Sequence, residues 1–275
     1  MTTAPSADRR LAARTVSPPS APVHREVAQV MGMPISLALR GRHAGTDTGR
    51  EAWAAIVAEL QHVDRTFSTY REDSVIRRLG RGELTEAECP AEVTEVLALG
   101  RTAERESGGA FSMLLAGPDG RIRLDPSGVV KGWATERAAR WLATLDDTDF
   151  CLSAGGDLVA HVADPRRPDW KIGIENPHDP RSVLATVPVR SGAVATSGTA
   201  RRGAHLIDPR TGRPAAAMAS VSVIAASLTA ADVDATAAFV LGPEAPAWLA
   251  TRPIRSALLV WPDGSTKILT GRGDN

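Results

Sequence analysis

Residues 125–162, DPSGVVKGWATERAARWLATLDDTDFCLSAGGDLVAHV, decide the fold class. Val130, Trp133, Ala134, Ala138, Trp141 and Leu142 recur at helical spacing and form one apolar face. Asp125-Pro126-Ser127-Gly128 ahead of that face supplies capping residues, so the spacing predicts a helix that begins there. Cys151-Leu152 and Leu158 to Val162 then read as strands around Gly155-Gly156. Upstream, His24 to Met31 and Ile35 to Arg40 read as strands around Gly32 and Pro34. Trp53, Ile56, Val57, Leu60, Val63 and Phe67 predict a helix from about Thr48 to just before Ser68. Pro90 fits the first turn of a second helix, which carries Val93, Val96 and Leu97 inward and ends at Ser107-Gly108-Gly109. Downstream, strands are predicted at Trp170 to Glu175, Ala185 to Val189, Gly192 to Thr196 and Ser220 to Ala226. A helix follows over Ala230 to Leu241. Arg255 to Trp261 and Ser265 to Leu269 then form a hairpin about Pro262-Asp263-Gly264. This mixed order favours α+β over a doubly wound parallel sheet.

The chain has 275 residues and is 43% hydrophobic, enough for a sizeable core. Lys plus Arg and Asp plus Glu number 32 each, so nothing in the charge points to nucleic acid or an anionic membrane. Cys89 and Cys151 are far apart and outside any CxxC pattern, and they read as inert thiols. Residues 1–22 lack the apolar core of a secretory signal and read as a disordered tail, with 23–275 as a single domain. A transit peptide is the alternative for that tail, weakened by Asp8 and by poor helical periodicity. No stretch reaches the roughly 20 apolar residues of a membrane span, and a cytoplasmic location is expected. There is no clear internal repeat and neither GxGxxG nor GxxxxGK[ST].

Three clusters could carry chemistry. Leu124 to Gly132 is a loop of small residues feeding a helix N-terminus, where backbone N–H groups and the dipole suit a phosphate and Lys131 could add charge. Spacing alone equally describes a helix capped by Asp125 or Ser127 with a solvated lysine, the commoner arrangement. Thr229 to Thr236 places Asp232 and Thr236 one turn apart, as hard oxygen donors suited to Mg²⁺. Asp234 lies about 200° round the helix from Asp232 and faces elsewhere. Thr229 as N-cap with Asp232 at N3 is the structural alternative. In the third cluster, Thr196-Ser197-Gly198 precedes His205 to Gly212. His205 there is either a proton carrier near neutrality or a loop histidine bonded to Asp208 or backbone.

These stretches occur in order: Met31-Gly32, Phe67 to Ser74, Asp-x-Ser-Gly-Val-x-Lys-Gly at 125–132, Ser153-Ala154-Gly155-Gly156-Asp157, Thr196-Ser197-Gly198, His205 to Gly212, and Ala231-Asp232 with Ala235-Thr236-Ala237. In this order the chain closely resembles the ApbE-type FAD:protein FMN transferases over about residues 25 to 265. Each motif alone is weak, and their order makes the match specific. The resemblance implies a T-fold-like α+β architecture with FAD in a cleft. It puts Met31, Tyr70, Ala110, Phe111, Ser112, Asp125, Lys131 and Leu206 against FAD, with His205 beside the reacting phosphate. It gives Mg²⁺ to Asp232, Thr236 and the carbonyls of Gly128 and Ala235. Three positions depart from the family. Met33 stands where relatives have Thr. Ser112 replaces an Asp that contacts flavin in relatives. The segment from Gly198 to His205 is short.

The implied reaction is Mg²⁺-dependent transfer of FMN from FAD to a Ser or Thr hydroxyl of an acceptor protein, with release of AMP. The family's acceptors carry a motif like [ST]-G-A-[ST]. Ser191-Gly192-Ala193-Val194 lacks the last hydroxyl, so self-modification there is not expected. The alternatives are an FAD pyrophosphatase on the same phosphate site and a non-catalytic FAD carrier.

Overall fold

The computed structural model describes residues 22–117, 119–199 and 206–271. The expected tail lies outside them except for Pro22. In chain order the first half runs β1 (His24–Val30), β2 (Met33–Gly41), α1 (Asp47–Phe67), α2 (Val75–Gly80), α3 (Ala91–Glu106), β3 (Leu114–Ala116), β4 (Ile122–Leu124), α4 (Ser127–Ala138) and α5 (Arg140–Ala143). The second half runs β5 (Thr148–Ala154), β6 (Asp157–His161), β7 (Trp170–Asn176), β8 (Asp179–Val189), β9 (Ser191–Gly198), β10 (Ile207–Asp208), β11 (Arg213–Pro214), β12 (Ser220–Ala225), α6 (Leu228–Leu241), α7 (Ala245–Leu249), β13 (Ile254–Val260) and β14 (Thr266–Thr270).

Eight of the strands pair in the order β1-β2-β5-β6-β9-β12-β13-β14, every neighbour antiparallel. The α+β expectation therefore holds. Helices cover one face. Ile56, Leu60 and Val63 of α1 and Val130, Trp133 and Ala134 of α4 share a core with Leu37 and Leu152. Along the same face Leu228, Ala231, Ala235 and Phe239 of α6 pack on Val221 and Val223 of β12. The β7–β8 hairpin covers the other face, bringing Ile174 and Val189 against Leu158, Val194 and Ile224. β12 is thus buried along its whole length, which explains its apolar run and its small serines.

Local chemistry sets the boundaries. Thr46 accepts the Gly49 N–H and starts α1 at Asp47, one residue ahead of the reading from periodicity. Met31 and Gly32 turn β1 into β2 with φ of 55° and 69°, and Met31 is one of two non-glycine residues with positive φ among those described. Gly155 (φ 60°) and Gly156 (φ 109°) reverse the chain between β5 and β6 and put Asp157 at the first position of β6.

Some expectations need correction. Trp141 does not belong to the buried face: it is 47% exposed, whereas Leu142 is buried. The helix breaks at Ala139 and restarts as α5, which turns the tryptophan outward. β8 begins at Asp179, well before Ala185, because it pairs along all of β7 through two register shifts. α6 begins at Leu228, since Ser227 is its N-cap and accepts the Ala230 N–H. Among the described residues no helix is long and apolar enough to cross a membrane.

Candidate functional site

Lys131, Asp157 and Asp232 come from α4, β6 and α6 and meet in one buried cluster. The Lys131 ammonium makes an ion pair with Asp157 Oδ2 and lies 3.2 Å from Asp232 Oδ1. Both carboxylate residues are 2% exposed. Glycine is needed at 132 for this meeting. A Cβ there would lie 2.9 Å from the Leu228 carbonyl oxygen and 3.0 Å from Asp232 Cβ. The missing side chain lets α4 and α6 cross closely enough for Lys131 to reach the aspartate.

The sheet holds the third member. Asp157 Oδ1 accepts the Thr196 N–H at 2.9 Å, so β9 fixes this carboxylate while its other oxygen faces the lysine. The neighbouring Ser197 hydroxyl lies 3.0 Å from the Thr236 hydroxyl, one turn beyond Asp232 on α6. Glu136 secures the start of α6. Its Oε2 accepts from the Ser227 hydroxyl (2.8 Å), the Thr229 N–H (2.9 Å) and the Thr229 hydroxyl (2.6 Å). Thr229 is therefore not the N-cap that spacing suggested. We expect Glu136→Ala to remove three charge-assisted bonds from a helix N-terminus and lower unfolding free energy by about 2 kcal/mol in urea titration. A loss below ~0.5 kcal/mol would show that α6 is anchored elsewhere.

One cation and two carboxylates leave the cluster a negative charge in excess. Burial works against the Lys131 ammonium, but Asp232 and Asp157 outweigh it and hold its pKa above the ordinary lysine range. Burial pushes the Asp232 carboxyl above the usual carboxylate range, with Lys131 pulling the other way and Asp157 adding to the rise. Asp232 Oδ2 is buried with no hydrogen-bond partner among the described residues. A buried anionic oxygen without a partner is costly unless a cation completes it. Among the described residues no three His, Cys, Asp or Glu gather as a metal cluster. Asp232 and the Thr236 hydroxyl one turn along α6 are hard oxygen donors of the kind that could hold a divalent cation. Asp234 faces away, as helical geometry implied: it pairs with Arg252 at 3.0 Å, and burial pushes its carboxyl up to about 6.

The other expected site residues lie on several different elements. The Phe111 ring closes on Gly128, where a Cβ would meet it at 3.0 Å. Ala110 and Phe111 are buried, at 1% and 3% exposure. The Ser112 hydroxyl donates to Glu104 Oε1 and accepts the Leu114 N–H, both at 3.0 Å. Asp125 Oδ1 accepts the Ser127 N–H at 3.0 Å, a cap-like bond at the start of α4. Met31 packs on the core beneath the β1–β2 turn, and Leu206 is half-buried, its carbonyl accepting from Ala215 N–H. Tyr70 is 94% exposed. Met33 is buried beside Gly155, where a Cβ would lie 3.1 Å from its sulfur. His205 lies outside the described residues. Asp157 and Ser197 were visible within quoted motifs but carried no role, because their partners sit on other elements.

The ApbE family model matches residues 31–118 and 112–259. The FAD:protein FMN transferase of Rhodobacter capsulatus is 30% identical over 225 residues, covering 78% of this chain and 38% of that protein. The FAD:protein FMN transferase of Haemophilus influenzae is 25% identical over 259 residues, covering 72% and 75%. That of Klebsiella pneumoniae is 34% identical over 131 residues, covering 44% of this chain and 37% of the relative. The chain thus spans well under half the length of most of the curated relatives it matches. Two solved structures share the fold. The ApbE protein of Thermotoga maritima superposes with a TM-score of 0.76 at 21% identity, covering 91% of this chain and 97% of that one. The apo flavinyl transferase ApbE of Pseudomonas stutzeri gives 0.75 at 24% identity, covering 94% and 98%. With its matched segments spanning most of the sequence and its fold reproduced along nearly its whole length, this chain belongs to the ApbE family.

Proposed function

We propose that this chain transfers FMN from FAD to a Ser or Thr hydroxyl of an acceptor protein, in a Mg²⁺-dependent reaction that releases AMP. The observation that carries the reading is the buried Lys131–Asp157–Asp232 cluster with its unpartnered Asp232 oxygen. The relatives named FAD:protein FMN transferase support the choice of substrate.

Asp232, Thr236 and the carbonyls of Gly128 and Ala235 would hold the ion. Bound there, Mg²⁺ supplies neutralisation of charge on the pyrophosphate. Lys131 sets a second positive charge at the phosphates, and the first turn of α4 adds its backbone dipole. Met31, Asp125, Ser112 and Leu206 border the flavin nucleotide. Tyr70 offers a free aromatic face for stacking. Ala110 and Phe111 act as floor beneath Gly128, since their side chains are buried in the protein. His205 takes the proton of the acceptor hydroxyl. That oxygen bonds to the FMN-side phosphorus, the bond from this phosphorus to the AMP oxygen breaks, and AMP leaves with the electron pair. FMN remains on the acceptor as a phosphoester.

The test is intact mass. With FAD, Mg²⁺ and a small acceptor domain carrying an [ST]-G-A-[ST] motif, the acceptor is expected to gain one FMN for each AMP released. The chain itself is expected to gain nothing. An unmodified acceptor beside folded, FAD-binding protein would sink the reading. FMN and AMP released without acceptor would identify a pyrophosphatase.

A further inference from the structure

We propose that Asp157 is a positioning residue of the cation site, detaining the Lys131 ammonium so that Asp232 stays available to a divalent ion. The inference rests on the metal reading above and adds a residue to it. Lysine and a divalent ion are rivals for one carboxylate. Lys131 springs from α4, directly across the helix crossing from Asp232. Paired with Asp232 alone, it would neutralise that carboxylate and block the ion.

The geometry sets a competitor against that outcome. Asp157 is 2% exposed and cannot turn to solvent. Its Oδ1 is committed to the Thr196 N–H at 2.9 Å. Its Oδ2 faces the ammonium and makes the shorter of the two ion pairs, while Asp232 Oδ1 stands at 3.2 Å. The Gly155-Gly156 reversal, the β5–β6 pairing and the Thr196 N–H bond hold Asp157 in the sheet, beside its ion pair to Lys131 of α4. Lys131 is thus balanced by a carboxylate that belongs to the sheet. Asp232 shares the lysine with Asp157, so the single ammonium does not fully neutralise it, and its Oδ2 is buried without a hydrogen-bond partner among the described residues. Thr236 stands one turn along the same helix. Removing the Asp157 charge leaves Lys131, among the described residues, only Asp232 as an ion-pair partner.

A double-mutant cycle on the full chain tests this, with Mn²⁺ as probe, no FAD present, and free Mn²⁺ read by electron paramagnetic resonance. D157N keeps the shape and the Thr196 bond but loses the charge. It is expected to weaken Mn²⁺ binding at least tenfold. K131M removes the rival and is expected to tighten binding at least threefold. In the K131M background D157N is expected to change affinity less than threefold, because there is no ammonium left to detain. An equal loss in both backgrounds would mean that Asp157 acts on the ion directly, and would overturn the proposal. So would D157N binding like wild type. If D157N fails to fold, K131M decides, and binding no tighter than wild type overturns the proposal. Absence of Mn²⁺ binding by wild type overturns the metal reading as well, which separates the two failures.

Discussion

Asp232→Asn is expected to lower FMN transfer by about 10²–10³-fold while leaving the folded protein at least as stable as wild type. The two halves of this result have one cause. In the wild type a full negative charge sits 2% exposed, with one oxygen lacking a partner. Burial raises the pKa of this carboxyl, so keeping it ionised in the folded chain costs stability. Asparagine keeps the volume and offers an amide oxygen to Lys131, but the cluster's net charge changes from negative to zero. Desolvation cost falls, by an amount on the order of 1 kcal/mol. The same change removes the anionic donor to which a divalent ion is attracted. Thermal unfolding without metal and AMP release at saturating FAD and Mg²⁺ are the paired measurements. Full turnover, in the presence of EDTA above all, would exclude a metal role for Asp232. A stability loss above ~2 kcal/mol would mark Asp232 as a structural anchor instead.

How far the site was legible follows from where each partner lies along the chain. Asp232 and Thr236 are one turn apart on one helix, so local periodicity sufficed to pair them. The same geometry sent Asp234 to the other side, where Arg252 meets it. Asp157 could be quoted as the end of a Gly-Gly turn but not assigned, because its partner Lys131 arrives from a helix and its anchor Thr196 from a strand beyond the β7–β8 hairpin. Glu136 was silent for the same reason. A glutamate on one helix reveals nothing of the helix N-terminus it holds. The fold shows the same division. The longer helices and strands were readable from apolar spacing, but the short α2, β3, β4, β10, β11 and α7 carry too few residues for a period and were not read, and Trp141 was misplaced because periodicity continued through a helix break at Ala139 that no Gly or Pro marks. At Asp125 the structure shows the cap-like half of the choice. Its carboxylate makes a cap-like bond to Ser127 N–H, yet capping one donor leaves the rest of the first turn and the dipole for an anion.

Gly132→Val is expected to lower transfer about 10²-fold through geometry alone, with every polar group of the site retained. In a helix interior, replacing glycine is ordinarily favourable: alanine gains about 1 kcal/mol and valine a few tenths of one. Here the space decides otherwise. The first carbon added at 132 would lie 2.9 Å from the Leu228 carbonyl oxygen, 3.0 Å from Asp232 Cβ and 3.1 Å from Asp232 Oδ2. The nearest of these is backbone on α6, so no rotamer relieves it and the helices must separate. Overpacking of this kind costs about 1–3 kcal/mol for a small group, enough to cancel or exceed the helix gain of alanine. Gly132→Ala is thus expected within about 1–2 kcal/mol of wild type. Valine adds two further methyls with a restricted χ1, and its loss is expected at about 3 kcal/mol. The functional effect runs ahead of the stability effect. A shift of ~1 Å between α4 and α6 moves Lys131 away from Asp232, and misplacement on that scale is worth about 10²-fold in rate. Urea unfolding and AMP release measured on the alanine and valine variants together give the graded series. A valine variant with native turnover would mean that the crossing of α4 and α6 does not set the site, and that the Lys131–Asp232 contact is dispensable.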